Sequence, residues 1–361
     1  RPHEPPTPAE AKVIADLSRA GKRLMGFCRT NLFKRLESSG QAFVQSVERH
    51  ILRNFIYLHA IENNQPIPIG TQDAGLLDNR INDADADLFA EEEDGDSGAS
   101  QGNAEHKTEV EFRRRAADVY TQYAGPLKKR FKWLGPDRFQ KELTEDLLAD
   151  IQTLFGVLKR SGEWNPAQDA KLDKLVELVT RKHSGQKLLV FTQFADTAEY
   201  LASQLRTRGI VGVAAATGDS DNPTRLAWRF SPESNKKRAE ISTEQEIDIL
   251  IATDVLSEGQ NLQDASIVVN YDLPWAIIRL IQRAGRVDRI GQKAEEILCY
   301  SFLPADGVER IIRLRARVRQ RLKENAEVIG TDESFFEDDR NERAIQDLFT
   351  EKADILDDAD T

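Results

Sequence analysis

Cysteine is almost missing from this 361-residue chain: Cys28 and Cys299 lie far apart, and neither has a His or Cys neighbour at ligand spacing. That excludes a disulfide framework and a zinc site, and no other metal site is expected; a reducing cytoplasm is the simplest compartment. Long apolar runs are missing too. No stretch approaches the roughly 18 residues of a membrane helix, and Arg1-Pro2-His3-Glu4-Pro5-Pro6 lacks both the basic and the apolar parts of a signal peptide. Neither a membrane span nor secretion is expected. Also absent are a Gly-x-x-x-x-Gly-Lys-Ser/Thr phosphate loop, since Gly21-Lys22 runs into Arg23 without preceding glycines, and an Asp-Glu-x-His magnesium motif. The chain starts at Arg1 rather than Met, which suggests a fragment of a longer protein.

An excess of positive charge is lacking as well, with a formal net charge of −11. The deficit is concentrated. Residues 72–98 and residues 331–361 each contribute −9, so the remainder carries +7. A mildly basic body with two acidic segments is compatible with an anionic partner, and the global balance says little about the folded surface.

What is present reads as two kinds of pattern. Residues 1–62 are a helical region, because Leu32, Phe33, Leu36, Phe43, Val47, Ile51, Phe55 and Leu58 recur at three- and four-residue steps. Residues 63–109 are an acidic segment of low complexity, too polar to offset chain entropy and expected to be mobile. Its Asp83, Asp85, Asp87 and Asp94 faintly resemble a calcium loop, but Leu88 stands where such a loop needs Gly. Residues 110–182 read as helical again, with Pro136 suited to the first turn of a helix carrying Phe139, Leu143, Leu147, Ile151, Leu154 and Leu158 on one face, followed by an amphipathic helix over 168–182.

Over 183–305 short apolar runs alternate with helical ones. Strands are expected at 187–191, 210–214, 247–251, 267–271 and 297–301. That alternation predicts an α/β unit, a parallel sheet with helices on both faces and function in the loops at the strands' carboxyl ends. Residues 306–361 supply an Arg-rich helix over about 308–328 and the acidic tail.

The segment with the most chemical content is Gln282-Arg283-Ala284-Gly285-Arg286-Val287-Asp288-Arg289-Ile290-Gly291-Gln292. Arg286 and Arg289 are three apart and would share a face if this turn is helical. Gly285 admits close approach, and two guanidinium forks suit the charge that grows on a transferring phosphoryl group. A solvated basic helix face is the plain alternative.

Together with Thr253-Asp254-Val255-Leu256-Ser257-Glu258-Gly259-Gln260-Asn261-Leu262, this segment resembles motifs V and VI of helicase superfamily 2. Leu189-Val190-Phe191-Thr192-Gln193-Phe194 resembles motif IV, and Thr217-Gly218 with Arg225 and Phe230 resembles the segment after it. The ending Arg289-Ile290-Gly291-Gln292 resembles the Swi/Snf branch with its bacterial RapA-like members, and Lys34-Arg35-Leu36-Glu37-Ser38-Ser39 looks like their linker helices.

The resemblance implies a RecA-like second motor lobe of an ATP-dependent translocase on duplex DNA. It makes Arg289 an arginine finger with Arg286 beside it. Gly259, Asn261 and Gln282 would lie toward the nucleotide, and Gln193, Gly218, Arg225 and Thr253 toward the nucleic-acid backbone. It implies ATP and Mg²⁺, held mainly by a first RecA-like lobe of the same parent chain, without which this chain should not hydrolyse ATP. Thr253, Gly218 and Gln193 are equally at home as strand-end and turn residues. Trp275, after Pro274, reads as packing. A strand-separating DNA or RNA helicase and a degenerate partner-binding module are the alternative functions.

Overall fold

The computed structural model describes residues 5–70, 108–162, 164–254, 260–274 and 277–312. The acidic run from 72 to 98, the tail from 331, Trp275 and Gly259 therefore lie outside the described residues.

The first helix, α1 (Pro8–Ser38), begins at a capping box: Thr7 accepts from the Glu10 backbone N–H, and Glu10 accepts from that of Thr7. The helical region expected over residues 1–62 does not run on unbroken. It breaks at Ser39, whose backbone is extended (φ −157°, ψ 135°), and α2 (Gly40–Glu62) starts afresh. A side chain on Gly40 would collide with the Trp164 ring, so the close approach of that ring requires glycine at the junction.

Helix α2 buries Val47, Ile51, Leu52, Phe55, Ile56 and Leu58 against α3 (Glu109–Ala124) and α4 (Leu143–Ser161). The rings of Phe55, Phe112 and Phe155 meet there, with Phe112 edge-on to Phe155 at 5.5 Å between centroids. This helical core has its own apolar interior.

Two details of the helical reading change. Within the segment expected to be mobile, Ile67–Ile69 forms β1, which pairs antiparallel with β2 (Lys132–Leu134) and carries a buried Ile67. Pro136–Arg138 makes only a short 3₁₀ turn, because Phe139 is extended (φ −106°, ψ 158°), and α4 begins at Leu143. Leu147 and Ile151 are nonetheless buried, and Phe139, Leu143, Leu154 and Leu158 pack beside them.

After α5 (Ala170–Glu177) and one π turn the sheet begins. Strands β3 (Leu188–Phe191), β4 (Val213–Ala216), β5 (Ile249–Ala252), β6 (Ile267–Asn270) and β7 (Leu298–Ser301) lie in the order β4-β5-β3-β6-β7, all parallel. The three inner strands are buried at every position, which is why they read as apolar runs, broken only by Asn270 at the end of β6. Successive residues serve opposite faces: Leu188, Val190, Ile249 and Ile251 pack with Leu172, Leu175 and Leu201, whereas Leu189, Phe191, Leu250 and Ala252 pack with Ala227, Phe230 and Val287. Helices thus cover both faces, as expected of a RecA-like α/β unit.

β4 starts three residues later than expected, since Gly209 and Gly212 sit at positive φ (79° and 67°) in the turn that precedes it. At Gly212 a Cβ would also lie 2.5 Å from an Asp248 carboxylate oxygen. The remaining helices are α6 (Ala195–Thr207), α7 (Pro223–Phe230), α8 (Ile277–Ala284) and α9 (Asp306–Ile312), the last lying against α1. The expected continuation of α9 to residue 328 lies outside the described residues.

Candidate functional site

The ends of the strands set the site. Thr253 N–H donates to the Ala216 carbonyl (3.0 Å) and Thr192 N–H to that of Ala252 (3.0 Å), so the segments leaving β4, β5 and β3 run side by side. Gly218, Thr253 and Gln193 therefore fall along one sheet edge. Arg225 stands nearby in the first turn of α7, where Asn222 Oδ1 accepts from its backbone N–H at 2.8 Å. Their exposure differs: Gly218 and Arg225 are open to solvent, whereas Thr253 and Gln193 are 3% and 6% exposed.

The arginine segment follows α8. Gln282 is exposed on the helix, and the chain then continues past Ala284 in tight turns, with Arg286 N–H bonded to the Arg283 carbonyl and Val287 N–H to that of Ala284. Arg286 and Arg289 thus lie beyond the helix rather than on its face, contrary to the helical expectation. Gly291 at φ +102° closes the turn, and Gln292 Nε2 donates to the carbonyls of Ala265 (2.9 Å) and Val287 (3.0 Å), pinning it to the loop before β6. Among the described residues, Ile290 is the most exposed of the large apolar side chains.

Arg289 is held firmly. Its Nε donates to the Gly285 carbonyl (3.0 Å), and its Nη1 to the Gln260 carbonyl and Asn261 Oδ1 (both 3.2 Å). Asn261 is fixed in turn by Asn235, whose Nδ2 donates to its carbonyl at 2.7 Å. Gln260 Nε2 reaches Thr224 Oγ1 at 3.2 Å, so the arginine side of the site and the Arg225 helix share one hydrogen-bonded chain. The fold therefore brings together Arg289 and Asn261, which are far apart in sequence. Arg286 Nε donates to the Gln282 carbonyl at 3.3 Å.

Sequence reasoning missed the residues beneath these. Arg283 is fully buried; it pairs with Asp254 (2.9 Å), donates to Asn270 Oδ1 and the Asp272 carbonyl (both 3.3 Å), and lies over the Phe191 ring. Asp254 also pairs with Arg279 at 3.1 Å. One carboxylate directly after Thr253 thereby anchors two arginines of α8, one helical turn apart. That spacing was visible in the sequence, although no local pattern names Asp254 as the partner.

A second buried network joins α1 to the sheet. Lys34 Nζ donates to Gln193 Oε1 (2.6 Å) and the Leu273 carbonyl (3.0 Å), and Ser38 Oγ donates to Asp272 Oδ2 (2.7 Å). Asp196 receives Arg35 and Arg49 (3.0 and 2.9 Å), and Lys171 donates to the Glu37 and Ser38 carbonyls (2.7 and 3.3 Å). Burial pushes the Glu37 carboxyl up to about 7, opposed by Lys171 and reinforced by the Asp272 charge.

Comparison with known proteins matches these elements. The family described as helicase conserved C-terminal domain covers residues 170–291. Residues 170–291 are thus similar to a helicase C-terminal domain. The chain is 34% identical over 145 residues to an uncharacterized ATP-dependent helicase, YqhH, of Bacillus subtilis (strain 168), covering 40% of this chain and 23% of that protein. It is 34% identical over 132 residues to the ATP-dependent RNA helicase RhlB of Shewanella amazonensis (strain ATCC BAA-1098 / SB2B), covering 37% of this chain and 27% of that one. It thus spans about a quarter of the length of the curated relatives it matches. The crystal structure of the C-terminal part of the Fun30 ATPase domain overlaps 47% of the chain and 53% of its own length at 20% identity and a TM-score of 0.34.

Arg286 and Arg289 supply the guanidinium groups of the segment beyond α8. Guanidinium groups complement phosphate oxygens, but among the described residues no group of three or more His, Cys, Asp or Glu could hold a metal ion. Among the described residues, no helix is long and apolar enough to cross a membrane.

Proposed function

We propose that this chain is the second motor lobe of an ATP-dependent translocase on duplex DNA, of the Swi/Snf type. The observation that carries the reading is the fixed Arg289, tied to Asn261 and, through Gln260 and Thr224, to the helix bearing Arg225. In this reading Arg289 and Arg286 face the γ-phosphate of ATP held with Mg²⁺ by a first RecA-like lobe of the parent chain, with Asn261 and Gln282 on the same side. Bond breaking in ATP builds charge on the phosphate, and a preorganised guanidinium stabilises that charge without reorganising. Gly218 and Arg225, with Thr253 and Gln193 behind them, follow the nucleic-acid backbone, where contacts give affinity and register without reading sequence.

ATP turnover by the longer parent protein, compared with duplex DNA, single-stranded DNA and RNA, tests the reading. Stimulation by duplex without strand separation is expected; stimulation by RNA alone refutes it. The likeness to an RNA helicase over residues of this lobe favours a strand-separating enzyme as the second reading, and unwinding of a tailed duplex would establish it. If turnover survives loss of Arg289, a partner-binding module replaces both.

A further inference from the structure

Helix α7 ends at Phe230, and the chain after it turns back on itself: Asn235 N–H donates to the Ser231 carbonyl (3.2 Å) and Lys237 N–H to that of Pro232 (2.7 Å). One carboxylate fastens this loop to the segment before β6. Asp264 accepts from the backbone N–H groups of Glu233 (2.8 Å) and Ser234 (2.9 Å) and from the Ser234 hydroxyl, while its own N–H donates to Ser231 Oγ (3.3 Å). Hydrogen bonds to an ionised acceptor are the stronger kind, so the loop has a firm base.

Asn235 reaches from that base toward the arginine site. Its Nδ2 donates both to the Ser231 carbonyl (2.8 Å) and to the Asn261 carbonyl (2.7 Å). Both partners are acceptors only, so an amide nitrogen with its two N–H groups fits here and an oxygen does not. Asn261 is the residue whose Oδ1 receives Arg289 Nη1 at 3.2 Å, and the neighbouring Gln260 carbonyl receives the same nitrogen. A single hydrogen bond therefore links Asn235 to the peptide that clasps Arg289. Asn235 lies between the segments that resemble helicase motifs, and the resemblance gives it no role.

We infer that Asn235 is a positioning residue for Arg289: by holding the Asn261 carbonyl it sets the place of the Asn261 side chain, and with it the direction of the Arg289 guanidinium. This rests on the proposed reading of Arg289 as the group that faces the γ-phosphate. In that reading Asn235 touches no phosphate. Preorganisation is what makes such a guanidinium effective, since a donor that must reorient as charge develops loses part of its stabilisation. Displacing a catalytic group by about 1 Å costs on the order of a hundredfold in rate, even when the change lies away from the chemistry. ATP binding, which in that reading rests mainly with the first lobe, changes far less.

The test uses the longer parent protein, with nucleic-acid-stimulated ATP turnover, KM for ATP, nucleic-acid affinity without nucleotide and melting temperature measured for each variant. Asn235→Ala should lower kcat roughly tenfold to a hundredfold, while KM for ATP and nucleic-acid affinity change less than about twofold. Asn235→Asp keeps the shape but sets oxygen against two carbonyls, and should lose at least as much. Asp264→Asn weakens the base of the loop and should show a smaller fall in kcat of the same kind; it carries the test if the Asn235 variants melt below the assay temperature. In single-turnover measurements on an Arg289→Ala background, Asn235→Ala should add little, because its effect passes through the guanidinium. A full further loss there would overturn the inference. So would a normal kcat for folded Asn235→Ala, or for Asp264→Asn in its place, beside an inactive Arg289→Ala, and the finger reading would stand. If Arg289→Ala itself turns over normally, the finger reading falls and this inference falls with it.

Discussion

Replacing Arg283 by Met removes a charge and its donors while keeping comparable length and apolar bulk. Three acceptors lose a partner: Asp254 at 2.9 Å, and Asn270 Oδ1 and the Asp272 carbonyl, both at 3.3 Å. Breaking a buried ion pair from one side costs about 3–5 kcal/mol, chiefly through the charge left behind. Asp254 is not left bare, since Arg279 remains at 3.1 Å, so the lower end, about 3 kcal/mol, applies to the pair. The two orphaned oxygens add about 1 kcal/mol each at most. At roughly 2–4 °C per kcal/mol for a unit of 150–250 residues, the melting transition of the lobe should fall by about 6–20 °C in scanning calorimetry. Arg283→Lys should recover little, because a single ammonium cannot span the three acceptors. Asp254→Leu combined with Arg283→Met should melt above Arg283→Met alone, since that pair of changes leaves no charge stranded. A loss below about 1 kcal/mol for Arg283→Met, or a double variant worse than the single, would refute the claim that this buried pair anchors α8 to the end of β5.

In the longer parent, Arg289→Ala should lower nucleic-acid-stimulated ATP turnover by a factor on the order of 10³ to 10⁵ with little change in ATP affinity, as single-turnover and binding measurements would reveal. Glu37 titrates near 7 in the folded chain against 4.5 for an ordinary glutamate, so its contribution to stability is present in full below about pH 4.5 and disappears as pH rises through 7. Urea titrations of Glu37→Gln should therefore show a gain over the parent that grows between pH 5 and 8. His50 runs the other way: burial and the nearby Arg53, Arg35 and Arg49 push it down to about 4, so its contribution is present above pH 6.5 and lost as pH falls through 4. A His50→Gln variant should lose less stability than the parent between pH 6 and 4, and an unchanged acid limb would contradict the assignment.

The inner strands were legible because burial on both faces calls for apolar residues, and Leu188–Phe191, Ile249–Ala252 and the first three residues of Ile267–Asn270 supply them. Edge strands were less sharply marked. β4 was placed early because apolar Ile210 and Val211 continue the pattern, although the positive φ at Gly212 turns the backbone there. Helical periodicity identified the packing stripe of α4 correctly, yet it set the helix start at Pro136 instead of Leu143, since periodicity reports a face and not its limits.

The sequence by itself determined the α/β class, the parallel sheet and the chain order of the segments that resemble helicase motifs, all of which depend on local composition and spacing. Tertiary structure alone decided that the helical region breaks at Ser39, that Arg286 and Arg289 leave the helix in turns, and that Asn261 clasps Arg289. It also decided that Lys34 meets Gln193 across 159 residues and that Arg283 is buried on Asp254. The physical reason is the reach of the interactions: hydrophobic periodicity repeats every two to four residues and leaves a trace in the sequence, whereas a buried polar pair is one contact between distant residues. Its energy depends on burial that exists only once the sheet and the helices have come together.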